Sequence, residues 1–430
     1  MTTAAAPPRR SASIDVARAL AIIGVAANHS IDGLLNAGLI PVDHPLETVN
    51  ETLYLFRMPA LAFLLGLFVP RAVTKRGVSS YLRERITLMV YLYLLWFVVQ
   101  SLAESATSGL KNTPRDTDAV WTVWLTFAHL WFLPFLVVTS LVLALSQPWR
   151  SPTRRLVVGV ALLTVSLLTW GWNSDVVGLT GLSLLVFAAA GSMVGLPRMV
   201  RLLDRSVLGW TAVGVVSALV LALLLQLDVV PATVPVHVGL PERALSLVAA
   251  VAGTIALLAV AVLVSRVPLV RPVLAAVGRR TLPVYLAHVI VVAGVRVVLT
   301  RAGVDDPWLI VGTAVLLGVG LPLVAASFAE GRPWAAWVFD LPAGLKRSAQ
   351  TPPPSRPDAG ATPASAPPAR RTTAHAHRLG AARAAGDTPR PGTAPPRRRD
   401  RAWPASQGEP RRPDQHSRPG AGYVPGDPRS

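Results

Sequence analysis

Cysteine is absent from the 430 residues, which excludes disulfides, thiolate metal sites and any mechanism through a cysteine acyl-enzyme. The redox compartment stays open. Charge is scarce too: 15% of residues are Asp, Glu, Lys or Arg, against roughly 25% in an ordinary soluble domain. Lysine is nearly missing, with 3 against 38 Arg, and with the abundant Ala, Val, Pro and Gly this is the mark of a GC-rich, bacterial genome. No HExxH, P-loop or GxSxG pattern occurs, so no metal site is expected and nucleotide-driven transport has no support. What is present is apolar: 52% of residues are hydrophobic and mean hydropathy is +0.48. Both values indicate a membrane protein.

A spanning helix needs about 20 largely apolar residues. Ten such runs are found, at 14–33, 50–69, 86–104, 121–145, 155–172, 177–195, 207–227, 243–264, 281–299 and 307–327. Their length and continuity predict helices, because lipid requires backbone groups to be satisfied within each segment, and the alternation of a membrane barrel is missing. The expected fold is an all-α polytopic membrane protein. The first run is a retained helix and no signal peptide, since it holds Asp15, Arg18 and His29 and lacks a small-residue cleavage site.

Alternate connections carry very different numbers of basic residues. Arg9, Arg10, Arg71, Lys75, Arg76, Arg83, Arg85, Arg150, Arg154, Arg155, Arg198, Arg201, Arg205, Arg266, Arg271, Arg279 and Arg280 make 17 on one side, against Lys111, Arg115, Arg243 and Arg301, which make 4 on the other. Cytoplasmic loops carry the excess. The pattern fits an even number of helices with both termini in the cytoplasm.

From Lys346 the chain turns to Pro, Arg, Ala and Gly, with 16 basic and 6 acidic residues up to Ser430. No core can offset chain entropy there, so the tail is expected to be disordered. A solvated tail is the plain reading. The cluster Arg397, Arg398, Arg399 also offers contact with anionic lipid, and no nucleic-acid partner is expected. The organisation is thus an N-terminal cytoplasmic segment at 1–13, a transmembrane domain at 14–345 and the tail at 346–430.

Ionisable residues within membrane helices are costly, and they form the first list of candidates. Arg18 and His29 are 11 residues apart, which at 100° per residue is three turns plus about 20° and about 16 Å of rise. Asp15 and Asp32 lie three residues outside this pair and extend the same stripe. Arg57 stands before Pro59 in FRMPALAFLLGLF, His129 beside Trp131 in AHLWFLPFL, and His288 in VGRRTLPVYLAHVI after Arg279 and Arg280. Each His taken alone reads as a hydrogen-bonded bundle residue, and Arg57 reads equally as a structural or a functional cation.

Together these segments resemble the integral-membrane acyltransferase family 3, which includes O-acetylases of bacterial surface polysaccharides and macrolide O-acyltransferases. The leading signature, a basic residue, ten intervening residues and a His, is matched by Arg18 and His29. An FxMPxFFFxSG-like stretch is matched at Phe56, Met58, Pro59, Phe63 and Gly66, with Leu61, Ala62 and Leu65 departing from it. WFL follows His129, and a GxxSLxIYLxH-like stretch runs from Gly278 to His288 with Thr281 and Pro283 as variations. The resemblance covers about residues 10–330, and the FRMP form is similar to the fucose 4-O-acetylase-like subgroup.

The resemblance implies transfer of an acyl group, usually acetyl from cytoplasmic acetyl-CoA, to a hydroxyl of a cell-surface glycan, a lipid-linked sugar or a similar acceptor at the bacterial plasma membrane. The basic loops Arg71 to Arg85 and Arg279 with Arg280 suit the donor's phosphates, with Arg18 near the entrance. His29 has the chemistry of a base for the hydroxyl, or of a residue that is itself acylated. Asp32 or Asp15 would orient or balance the imidazole, and Arg57 would steady the oxyanion. His129, Trp131 and His288 are candidates for contact with acyl-CoA or acceptor. A transporter or flippase of a polar or glycolipid substrate using the same stripe is the runner-up. It lacks the inverted repeat expected of one.

Overall fold

A computed structural model describes residues 11–106, 128–174 and 176–349, all within one compact unit. Residues 1–10, which hold Arg9 and Arg10, lie outside it, as do the connection with Lys111 and Arg115, the start of the fourth expected span, and the tail from 350. The described chain is helical without a strand, and nine helices are long and apolar enough to cross a membrane, or ten if one bent pair counts as a span.

In order, α1 is Ala12–Asn36, α2 Pro45–Gly66, α3 Val69–Arg76, α4 Val78–Ala106, α5 Phe132–Ser146, α6 Pro152–Thr169, α7 Leu185–Val194, α8 Leu196–Leu203, α9 Val207–Leu224, α10 Leu240–Val264, α11 Arg271–Arg279, α12 Thr281–Arg301, α13 Pro307–Ala329, α14 Pro333–Ala336 and α15 Ala343–Ala349. Their starts follow from local chemistry. Pro45, Pro152 and Pro307 open α2, α6 and α13, behind cap residues His44, Ser151 and Asp306 whose side chains accept backbone N–H groups. Such a cap contributes about 1 kcal/mol.

The centre of the bundle is α1, which packs against α2, α10, α11, α12 and α13. Ala17, Ala19, Ala21, Gly24 and Ala26 make that possible, because small residues let backbones approach where lipid supplies no hydrophobic drive. Gly278 of α11 lies against the Asp15 carbonyl, where a Cβ has no room. The same device joins α2 to α7, with Gly66 on the Ala188 carbonyl and Gly191 on the Phe63 carbonyl. By contrast, α6 and α9 turn most of their apolar residues outward, among them Leu156, Val160, Val216 and Leu219, as lipid-facing helices do.

Three spans differ most from the sequence expectation. The second begins at Pro45, five residues early, and after a break at Leu67 and Phe68 continues through α3 to Arg76. The sixth, expected at 177–195, is a short helix from Leu185 that bends by 82° into α8. Gly195 at φ +70° supplies the left-handed turn and Pro197 restarts the helix. Similarly α4 starts at Val78, not at 86, since charges such as Arg83 and Arg85 end an apolar run without ending a helix.

The connection between α9 and α10 is folded inward and tied down. Trp170 Nε1 donates to the Val230 carbonyl at 2.9 Å, Ser183 Oγ to Ala232 at 3.1 Å, and Val236 N to Gly171 at 3.0 Å. Residues Thr233 to Pro235 are thereby held over the bundle's interior.

Candidate functional site

The stripe on α1 ends in two separate recesses. At the start of the helix, Arg18 donates from Nη2 to Thr281 Oγ1 at 2.8 Å and lies 5.7 Å from the Phe68 ring centre. It lines a cavity of about 380 Å³ with Arg76, Arg85, Tyr81, Glu84 and a wall of Leu61, Leu64, Leu65, Phe132 and Leu136. Three turns on, His29 faces a second cavity of about 430 Å³, with Tyr54, Arg57, His129, Trp131, Asn173, Thr180 and Thr233. Tyr285 belongs to both walls. Apart from it, the two linings share no residue.

Beside Tyr285 three histidines from three elements converge. Ring centres are 5.2 Å apart for His29 and His288, 5.7 Å for His29 and His129, and 5.3 Å for His129 and His288. His288 and His129 are buried, whereas His29 is partly open to the cavity. The proton positions follow from the partners. His288 Nδ1 faces two carbonyl oxygens, Val284 at 3.0 Å and Tyr285 at 2.7 Å, which only accept. Nδ1 therefore carries the hydrogen and Nε2 a lone pair.

For His129 the partner is Gln100, whose Nε2 reaches the Leu286 carbonyl at 3.2 Å and His129 Nε2 at 3.0 Å. An amide nitrogen only donates, so His129 Nε2 accepts and its hydrogen is on Nδ1. His129 Nδ1 and His288 Nε2 have no hydrogen-bond partner among the described residues. Such buried atoms carry a desolvation cost of about 1–3 kcal/mol each unless a ligand, water or neighbour satisfies them. The Tyr285 hydroxyl is held by the His129 carbonyl.

Arg57 is buried, with its Cζ 3.7 Å from the centre of the Tyr54 ring and with Nε and Nη1 lacking partners among the described residues. Asp32 builds the support behind it. One carboxylate oxygen accepts from Asn50 Nδ2 at 2.8 Å and the other from the Tyr54 hydroxyl at 3.3 Å, while Asn50 also bonds Asn28. The guanidinium is thus stacked and desolvated, on a residue that lines the second cavity.

A family comparison now has a site to bear on. Residues 11–327 match the profile of the family 3 acyltransferase domain. The chain belongs to that family. No curated protein and no solved structure matched. Within this membrane acyltransferase the match spans the helices that carry both cavities and all three histidines.

The structure brings together Arg18 with the first cavity, and His29, Arg57, His129 and Trp131 with the second, with His288 behind. Others fall elsewhere. Asp15 lies 3.9 Å from Arg279, and Arg280 forms a two-pronged pair with Glu330 at 2.7 and 2.6 Å; none of these lines either of the two cavities. That hydrogen bonding raises the pKa of Arg280 and lowers that of Glu330. Asp32 has its bonds to Asn50 and Tyr54, three residues from His29 in sequence but engaged across to α2. Tyr285, Gln100, Tyr54 and Asn50 were not singled out from sequence. Gln100 had one available signal, as a lone amide in an apolar run.

Proposed function

We propose that this acyltransferase moves an acyl group, acetyl in the simplest case, from cytoplasmic acyl-CoA to a hydroxyl of a cell-surface glycan, lipid-linked sugar or similar acceptor. The observation that carries the reading is the pair of recesses meeting at Tyr285, one lined with arginines and the other with histidines. The arginine-rich recess opens at the end of the bundle with the basic connections, the cytoplasmic side by charge. Arg18 and Arg85 would there meet the phosphates of a donor that stays a substrate and no bound cofactor, and the leucine wall would take its less polar arm.

In the transfer step the hydroxyl oxygen forms a bond to the thioester carbonyl carbon as His29 takes its proton. The tetrahedral oxyanion is met by the free donors of Arg57, and collapse breaks the carbon–sulfur bond. The thiolate leaves and recovers the proton from the imidazolium. Base catalysis of this kind supplies about 10²–10⁴ in rate, and a positioned oxyanion donor about 10²–10³. Asp32 would position Arg57 through Tyr54, His288 would sit behind His29, and His129 with Trp131 would face the acceptor. Tyr54, Asn173, Thr180 and Thr233 add polar groups suited to a polyhydroxyl compound.

On this reading the protein is a multi-pass component of the bacterial plasma membrane with both termini in the cytoplasm, residues 14–345 holding the whole catalytic unit. The test is transfer from labelled acetyl-CoA to membrane glycolipid and polysaccharide fractions, comparing wild type with normally inserted His29→Ala. Loss of a wild-type signal supports both the reaction and the base. An unchanged signal removes His29 from the mechanism, and absence of transfer with every donor and acceptor offered removes the reaction.

A further inference from the structure

A third recess lies away from both of these. Its volume is about 440 Å³ and its lining is Arg198, Arg201, Leu202 and Arg205, three cations with no carboxylate. Three arginines elsewhere on this end of the bundle have a carboxylate beside them: Arg76 with Glu84, Arg279 with Asp15, Arg280 with Glu330. Asp204, adjacent in sequence, is exposed and does not line the recess. An arrangement of like charges around one hollow is repulsive in the absence of an anion.

The helix that carries Arg198 and Arg201, with Arg205 in the turn that follows it, is placed for a membrane surface. The 82° bend at Gly195 lays α8 across the end of α7, so that it runs along the boundary of the bundle. Met199 and Leu203 are buried, while Arg198, Arg201 and Arg205 are exposed on the other side. A helix with one apolar and one arginine-bearing face, lying in the interface plane, is the form that binds headgroups. The next helix, α9, begins with exposed Val207 and Leu208 and presents lipid-facing residues along its length, and Trp210 Nε1 caps the turn by donating to the Leu202 carbonyl at 2.8 Å. Acyl chains therefore have an apolar wall directly beneath the three guanidinium groups.

We propose that Arg198, Arg201 and Arg205 form a binding site for the phosphate of an anionic phospholipid, with its acyl chains against α9. The site is attached to the catalytic body. Leu196 N at the start of α8 donates to the Leu67 carbonyl at 3.0 Å, at the break between α2 and α3, and the next residues, Phe68 and Val69, line the arginine-rich cavity. A bound lipid steadies the rim of that cavity. This last consequence rests on the proposed acyl-CoA reading; the lipid site does not.

The test uses the full-length protein purified from phosphatidylcholine membranes with and without phosphatidylglycerol, followed by native mass spectrometry of retained lipid. Wild type is expected to keep phosphatidylglycerol in preference to phosphatidylcholine, with each Arg→Gln change at 198, 201 or 205 weakening retention about fivefold. Arg154→Gln with Arg155→Gln, two exposed cations at the same end, is the control and is expected to retain it as wild type does. Equal retention by wild type and the triple variant overturns the site, and so does equal loss in the control pair. Inorganic phosphate displacing the lipid at equimolar concentration also overturns it, by showing a free-anion site in place of a headgroup site. Single Arg201→Gln, monitored by thermal unfolding, guards against loss of fold. Phosphatidylglycerol is further expected to lower the KM for acyl-CoA in wild type alone; absence of transfer altogether bears on the enzymatic reading and leaves the retention result standing.

Discussion

The side-chain nitrogen of Gln100 stands 3.0 Å from His129 Nε2 and 3.2 Å from the Leu286 carbonyl, so that one amide fixes both the tautomer of the imidazole and the seating of α4 on α12. Gln100→Leu leaves His129 Nε2 as a buried acceptor without a partner, at a cost of about 1–3 kcal/mol, and takes from the Leu286 carbonyl the bond that ties α4 to α12. The telling variant is Gln100→Glu, whose ionised carboxylate accepts only and draws the His129 hydrogen to Nε2. Nitrogen NMR of labelled histidine is expected to report that exchange of tautomer, and acyl transfer is expected to fall with it. Transfer at the wild-type rate with the tautomer exchanged would separate His129 from the chemistry.

Arg57 is held by stacking on Tyr54, which Asp32 holds in turn. Arg57→Met is expected to lower kcat by about 10²–10³ with little change in KM for the donor. Tyr54→Phe keeps the ring and loses the bond to Asp32, so a loss of about fivefold is expected, at about 1 kcal/mol. Steady-state kinetics on both variants checks the order; a larger effect at Tyr54 than at Arg57 contradicts the oxyanion role.

Backbone contact at Gly66 and Gly191 makes the α2 and α7 crossing sensitive to a single methyl group. Gly66→Ala and Gly191→Ala are each expected to destabilise by about 1–3 kcal/mol as overpacked sites. Gly294, where a Cβ meets nothing, is the neutral comparison. Thermal unfolding in detergent distinguishes them.

Arg280 hydrogen-bonds the Glu330 carboxylate through two nitrogens and lowers its pKa below the usual 4.5. A carboxylate depressed in the folded state adds stability above its unfolded value, and the addition disappears as pH falls through the folded value. Wild type is therefore expected to unfold at a slightly higher temperature than Glu330→Gln at neutral pH, the difference shrinking as pH falls below 4.5 and through the lowered pKa of the pair. The effect is small because the pair is solvent-exposed. A difference that grows on acidification has the wrong sign for this pair.

Truncation after Leu345 removes the basic tail and none of the cavity-lining residues. Acyl transfer in membranes is expected to continue at near the wild-type rate. Abolished transfer with normal insertion would assign the tail a working part.

The helical body and the Arg18 to His29 stripe were legible because both follow from local rules, a run long enough for lipid and a period that stacks two residues three turns apart. Convergence of His129 and His288 on His29 was not, since each sits in its own apolar segment and only tertiary packing joins them. Arg279 and Arg280 looked suited to a donor's phosphates, but packing turns them to Asp15 and Glu330. Gly195 and Pro197 stood inside and beside an apolar run, where hydropathy averages over the 82° bend they cause. Gln100 was hidden for another reason: one amide in the largely apolar run at 86–104 changes the average little, while its meaning depends on what lies across the bundle.

Tyr285, common to two recesses that enter from opposite ends of the bundle, has an electrical consequence. Where water and ions follow substrate into both recesses, a transmembrane voltage no longer falls evenly across the bilayer but is concentrated on the thin partition between them. A charge crossing the whole drop exchanges about 2.3 kcal/mol per 100 mV with the field. His29 and His129 line the second recess beside Tyr285, so on the proposed reading a proton arriving on His29 sits at the edge of the region where an energised membrane exerts its steepest field.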